Sequence, residues 1–176
     1  MSNATERNSA FVALGANLSG IHGDPRSALE AAIKELAALS SEPVEVSPFY
    51  KSDPKDCPPG SPVYINAVVK LVPMYDETPL SLLKKLQRIE GDFGRVRSGV
   101  RNEARTLDLD LLEFGDEQLE TDVLVLPHPR AHERRFVLEP WITLAGVEWP
   151  LKGSTLGAWL DRCSDPPLLK IDSAND

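Results

Sequence analysis

The residues able to do chemistry crowd between positions 95 and 135. Asp108 and Asp110 stand two apart in the run Arg105-Thr106-Leu107-Asp108-Leu109-Asp110-Leu111-Leu112. In a strand, successive side chains point to opposite faces. Leu107, Leu109 and Leu111 then share one face and the two aspartates share the other, their Cα atoms about 6.5–7 Å apart. Carboxylates so placed can converge on one cation or on a pair. Oxygen-only ligands suit Mg²⁺, which is usually held by one or two carboxylates plus substrate phosphates. Taken alone, the pair also fits two solvent-facing acids on a half-exposed strand.

The arginines narrow the reading. Arg95, Arg97, Arg101 and Arg105 fall within eleven residues, and Arg130, Arg134 and Arg135 follow. Seven of the eleven arginines lie between 95 and 135, and no lysine does. A guanidinium grips phosphate oxygens as a planar fork, where lysine offers a point charge. Paired carboxylates beside arginine forks are what phosphoryl transfer needs. His128, set between Pro127 and Pro129, can donate to a phosphate or serve as a structural histidine. His22 and His132 lack any partner pattern and read as surface residues. Trp141, Trp149 and Trp159 read as packing residues.

Regular elements must hold these groups in place. Residues 11–14 form a short apolar run closed by Gly15-Ala16-Asn17, a buried strand entering a turn. Asp24-Pro25 caps a helix whose stripe is Ala28, Leu29, Ala32, Ile33, Leu36 and Leu39. Residues 44–52 read as a second strand. Residues 53–62 hold four prolines and a glycine, so they form a long loop. Residues 63–72 are a third strand. Thr78-Pro79 opens a second helix with the stripe Leu82, Leu83, Leu86 and Ile89, ending near residues 91–94. Residues 95–104 are a second long loop and residues 105–114 a fourth strand. Residues 119–126 are expected to pair back as a further strand. Residues 134–145 read as helix limited by Pro140, and residues 154–163 as a short final helix.

The order β-α-β-β-α-β followed by mixed elements predicts an α+β protein with a ferredoxin-like βαββαβ core. Its antiparallel sheet would carry helices on one face, with extra C-terminal elements beyond the core. One domain over residues 11–165 is expected, with residues 1–10 and 166–176 as tails. At 176 residues the chain can bury a sizeable core without staples. A net charge of −8 argues against a general nucleic-acid binder and against a basic membrane-surface protein. No run approaches the ~20 apolar residues of a membrane helix. Cys57 and Cys163 read as two unpaired thiols in a reducing cytoplasm. The average charge hides a contrast: residues 95–105 carry four arginines and one glutamate, a local charge of +3.

At these residues the sequence resembles the 6-hydroxymethyl-7,8-dihydropterin pyrophosphokinases. The matching segments are Leu14-Gly15-Ala16-Asn17-Leu18, Ser47-Pro48-Phe49-Tyr50-Lys51-Ser52, Tyr64-Ile65-Asn66-Ala67 and Gln87-Arg88-Ile89-Glu90. They continue with Gly94-Arg95-Val96-Arg97, Arg105-Thr106-Leu107-Asp108-Leu109-Asp110, Pro127-His128-Pro129 and Arg134-Arg135-Phe136. The resemblance implies transfer of pyrophosphate from ATP to a pterin alcohol, releasing AMP, in folate biosynthesis. It implies that Asp108 and Asp110 bind two Mg²⁺ ions and that Asp110 also accepts the hydroxyl proton. Tyr64 and Phe136 would sandwich the pterin and Asn66 would read its edge, helped by backbone near Ser52 and Pro54. Arg95 and Arg105 would close on the phosphates, joined by Arg97 and Arg101. His128 and Arg134 would hold ATP phosphates, with Gln87 near the base. The expected partners are ATP and the pterin alcohol, with no nucleic acid and no membrane, for a monomer in the cytoplasm.

The chain departs from the family's pattern at Asn102-Glu103-Ala104, where Gly-Pro, often after tryptophan, commonly precedes the arginine. Asp53 stands where proline is more familiar, and the proline-rich loop is one residue longer than in a typical short member. These departures bear on lid closure and turnover speed, and they motivate a competing reading as a slow, ligand-binding homologue. Two further competitors are an RNA-binding module of the same topology, which would need exposed aromatics on a basic sheet face, and an unrelated two-metal phosphate hydrolase.

Overall fold

The computed structural model describes residues 8–55, 57, 59–95 and 104–171. Arg97 and Arg101, and the departure at 102–103, lie outside the described residues.

Among the described residues, ten short strands and four α-helices follow one another. Strand β1 (Ala10–Ala16) leads to helix α1 (Pro25–Ala38), where the Asp24 carboxylate accepts the Ser27 N–H at 2.8 Å and Pro25 opens the first turn. Strands β2 (Glu45–Val46), β3 (Phe49–Ser52) and β4 (Tyr64–Leu71) come next. Helix α2 (Pro79–Asp92) starts with a capping box, Thr78 and Ser81 each accepting the other's main-chain N–H. Strand β5 (Asp108–Phe114) carries the aspartates. Beyond it lie a hairpin of β6 (Leu119–Glu120) and β7 (Val125–Leu126), helix α3 (Arg135–Ala145), a hairpin of β8 (Pro150–Leu151) and β9 (Ser154–Thr155), helix α4 (Leu156–Arg162) and strand β10 (Leu169–Ile171).

The main sheet runs β10-β3-β4-β1-β5, with β2 also on β4, and every pairing is antiparallel. β1 thus lies between β4 and β5, the interleaving expected of a ferredoxin-like core. One face of the sheet buries Val12, Leu14, Ala67, Val69, Leu109 and Leu111 under α1 and α2. The opposite face buries Phe11, Val68 and Leu112 under Val137, Leu138 and Trp141 of α3. Helices therefore cover both faces, not one as the core pattern alone suggested. α3 is apolar enough to demand its own cover, and Phe11 packs on both Trp141 and Trp149.

The strand expected over 44–52 is two strands. Ser47 takes over the pairing instead: its N–H donates to the Val68 carbonyl and its Oγ accepts the Val68 N–H, both at 2.9 Å, while Pro48 has no N–H to offer. The strand expected from 105 begins at Asp108, because Arg105 is held by Asn17 rather than by the ladder. Residues 119–126 pair only with themselves, as β6 and β7. The sheet also takes in Ala10 and residues 169–171, both assigned to tails from sequence; Ala10 is fully buried and β10 pairs with β3. His22 stacks on Phe93 and His132 meets Trp159 edge-on, so both pack on aromatic rings.

Candidate active site

The sheet register sets two rows of side chains on the α3 face. Asn66 of β4, Gly15 of β1 and Asp108 of β5 stand in one row, and Val68, Ala13 and Asp110 in the next. Glycine and alanine on the central strand leave a trough between the outer strands. A Cβ at Gly15 would sit 3.5 Å from Asn66 Oδ1 and 3.8 Å from Tyr64 Cδ1. The trough encloses about 840 Å³, part of it open to solvent. It is lined by Ser52, Asp53, Lys55, Cys57, Tyr64 and Asn66 from β3, β4 and the segment between them, and by Arg105, Arg130, Arg134 and Phe136, together with Asp108 and Asp110 of β5. At ~4.8 Å per strand, Asn66 and Asp108 lie roughly 10 Å apart across β1.

The acidic end is held by arginines. Asp108 Oδ1 is 2.9 Å from Arg95 Nη1, and its Oδ2 is 3.1 Å from Arg105 Nη1. Asp110 Oδ2 is 3.9 Å from Arg134 Nη1. Asp110 keeps 34 % of its side-chain surface. Desolvation by the surrounding protein, then the neighbouring Asp108 carboxylate, push it up to about 7, against the pull of Arg134. Glu90 is 3 % exposed; it pairs with Arg95 and accepts the Leu109 N–H of edge strand β5 at 2.8 Å. Burial raises Glu90 to about 6, even though the Leu109 N–H favours its charged form.

The opposite end is aromatic and amide-lined. Asn66 Nδ2 donates to Ser52 Oγ at 2.7 Å, which leaves Oδ1 over Gly15 as an acceptor facing the trough. Arg134 lies 5.7 Å from the Phe136 ring centroid. Asn17 ties the two ends together from beneath. Its Oδ1 accepts the Arg105 N–H at 2.8 Å, and its Nδ2 donates to the Pro62 carbonyl at 3.2 Å.

His128 does not line the trough. It is half-buried, and its Nδ1 accepts the Arg130 N–H at 3.2 Å, so Nε2 carries the proton. Burial, then Arg134, push it down to about 4, which keeps the imidazole neutral. Gln87 is exposed on α2, and Pro54 is half-buried in the loop; neither lines the trough. Of the residues expected from sequence, the structure brings together Ser52, Tyr64, Asn66, Arg95, Arg105, Asp108, Asp110, Arg134 and Phe136. Sequence reasoning gave no role to Glu90, Asn17 or Lys55, and counted Arg130 only among the clustered arginines. Only a buried charge in an otherwise amphipathic helix marks Glu90 along the chain; the rest show in three dimensions alone.

Among the described residues, no three His, Cys, Asp or Glu side chains group into a metal cage. Two carboxylates at the base of an open trough are nonetheless a fit for Mg²⁺, which takes its remaining ligands from water and phosphates. Asp110 is raised by desolvation first and by the neighbouring Asp108 charge second, and a divalent cation would offset both. No described helix is long and apolar enough to cross a membrane, and both cysteines are free.

An acid pair ringed by guanidinium forks, next to a slot for a flat polar ring, is the site of a phosphoryl-transfer enzyme. The chain belongs to the 7,8-dihydro-6-hydroxymethylpterin-pyrophosphokinase (HPPK) family, which it matches over residues 11–146. It is 43% identical over 137 residues to the 2-amino-4-hydroxy-6-hydroxymethyldihydropteridine pyrophosphokinase of Haemophilus influenzae, covering 77% of this chain and 81% of that protein. It is 38% identical over 134 residues to the protein of the same name from Bacillus subtilis, covering 76% and 75%. Its fold is similar to a crystal structure described as HPPK-DHPS in complex with substrates, with TM-score 0.69, 13% sequence identity and 90% of this chain covered. This chain spans 43% of that longer one.

Proposed function

We propose that the trough transfers the pyrophosphoryl group of ATP to the hydroxymethyl oxygen of 6-hydroxymethyl-7,8-dihydropterin. The observation that carries this reading is the row Asn66–Gly15–Asp108, which sets an amide-lined slot and an acid–arginine cluster on one open sheet face. The pterin ring lies between Tyr64 and Phe136, whose faces stack at modest conformational cost. Asn66 Oδ1 accepts from the ring's amide-like edge, with Ser52 and the backbone near Pro54 beside it. Asp108 and Asp110 hold Mg²⁺, two ions in the fullest form of this reading. Bound there, Mg²⁺ neutralises charge on the triphosphate oxygens. Arg95 and Arg105, with Arg97 and Arg101 of the same loop, grip the phosphates. Arg134 holds them within the trough, while the Nε2–H of His128 and Gln87, both outside it, meet ATP where it extends further, at a phosphate and near the nucleotide base.

The hydroxymethyl oxygen attacks the β-phosphorus in line. Its proton passes to Asp110, acting as general base. The bond from the β-phosphorus to the bridging oxygen of the α-phosphate breaks, and AMP leaves with that electron pair. Closure of the loops at 53–62 and 95–104 keeps water from competing as nucleophile. The protein works as a monomer in the cytoplasm, one domain holding the whole site. Purified protein with Mg-ATP and the reduced pterin alcohol should release AMP in step with pterin diphosphate. AMP at background level in that mixture overturns the reading.

A further inference from the structure

Helix α3 begins without a cap of its own. Its N-cap residue, Arg134, makes no side-chain cap hydrogen bond, and the first turn holds no acidic residue. Free N–H groups at a helix start need an acceptor, and a negative charge there is favourable. The acceptor comes from 30 residues away: Asp165 Oδ2 takes the Arg135 N–H at 3.4 Å. The Asp165 carbonyl takes a second bond from Arg135 Nη1 at 3.0 Å. The other carboxylate oxygen, Oδ1, is 2.7 Å from Lys55 Nζ. Lys55 also lines the trough, in the segment after β3 that carries Asp53. Asp165 is 17 % exposed. Burial raises its carboxyl, but Lys55 and the Arg135 N–H outweigh this and hold it below the usual range.

One side chain thus touches two segments that line the trough. The Lys55 arm holds the loop after β3, and the Arg135 arm holds the start of α3, from which Arg134 and Phe136 face the trough. β10, four residues further on, pairs with β3 and fixes the segment that carries Asp165. This segment lies beyond residue 146, outside the family match.

We propose that Asp165 is a positioning residue for the pterin slot, setting the gap between the Ser52–Lys55 segment and Phe136. This rests on the reading of the trough as a pterin site. Asp165→Asn keeps the shape but loses the charge on both arms. Its KM for the pterin should rise about three- to fivefold, the scale of partly exposed charge pairs, while kcat and the KM for ATP move by less than that. Lys55→Met should raise the pterin KM less, since it frees one segment only, and adding Asp165→Asn to it should cost less than in the wild type. Asp165→Glu should restore part of the loss. Amide exchange in the ligand-free protein reads the same clamp without any substrate: Asp165→Asn should speed exchange near residues 53–55 and 135–138 together. An active enzyme whose pterin KM ignores Asp165→Asn overturns the clamp and leaves the pyrophosphokinase reading standing. A wild type that releases no AMP overturns that reading instead, and unchanged amide exchange then overturns the clamp by itself.

Discussion

Ala13 of β1 lies directly opposite Asp110 of β5, and its methyl group is the only side chain between that carboxylate and Val68 in their row across the sheet. The open space above Asp110 therefore depends on a small residue on the central strand. Ala13→Leu adds three carbons at the base of the trough. Turnover should fall at least about tenfold, since small misplacements of reacting groups are costly. The melting temperature should shift little, because the added atoms enter open space. A normal rate in this variant would show that the reacting atoms lie elsewhere.

Asp110 carries an energetic cost that can be read by titration. Its folded-state carboxyl is raised to about 7, so the folded protein binds more protons than the unfolded chain between pH 4 and 7. Stability from this group is present at low pH and is lost as pH rises through 7. Asp110→Asn removes a charge that the fold partly desolvates. In Mg²⁺-free buffer at pH 8 the variant should melt higher than wild type, and near pH 4 the two should coincide. Turnover should drop by about 10³-fold, within the range of general-base and charge effects combined. Thermal scans at the two pH values and an AMP assay check both halves.

Arg105 separates side-chain from main-chain roles. Its guanidinium lies 3.1 Å from Asp108, while its backbone is fixed by Asn17. Arg105→Lys should lower kcat/KM by about 10- to 100-fold, because a point charge cannot replace a fork, and should leave the melting temperature near that of wild type. Asn17→Ala removes the acceptor of the half-buried Arg105 N–H and should cost about 1 kcal/mol in denaturant unfolding. Equal stability losses in the two variants would refute this division.

Glu113 gives a titration remote from the trough. It is 8 % exposed and accepts the Trp149 indole N–H at 2.9 Å. Burial outweighs that bond and, with Asp116 nearby, pushes it up to about 7. Its contribution to stability is then full below pH 4.5 and declines by up to about 3 kcal/mol as pH rises through 7. Glu113→Gln keeps an acceptor for Trp149 and should flatten that decline, making the variant more stable than wild type at pH 8 and equal to it near pH 4. Parallel unfolding curves for the two proteins across that range would assign the titration to another group.

How much of this was legible along the chain follows from the range of each interaction. The alternation of Leu107, Leu109 and Leu111 with Asp108 and Asp110 is local, so the acid pair and its shared face could be read directly. The helix starts at Asp24-Pro25 and Thr78-Pro79 were equally local and stand where the caps put them. The split of residues 44–52 was not readable, because Ser47 bonds across to Val68 while Pro48 breaks the ladder.

By itself the sequence determined which chemistry the protein holds: carboxylates two apart on a strand, arginines crowded beside them, and aromatic and amide residues in order along the chain. These depend on side-chain type and on the two-residue period of a strand. Tertiary structure alone decided that α3 covers the second face, that Glu90 backs Arg95 and β5, that β10 closes onto β3, and that Asp165 joins Lys55 to Arg135. Apart from Glu90 with Arg95, each of those depends on partners at least 19 positions apart, and no local pattern of residues encodes a meeting that only the closed sheet brings about.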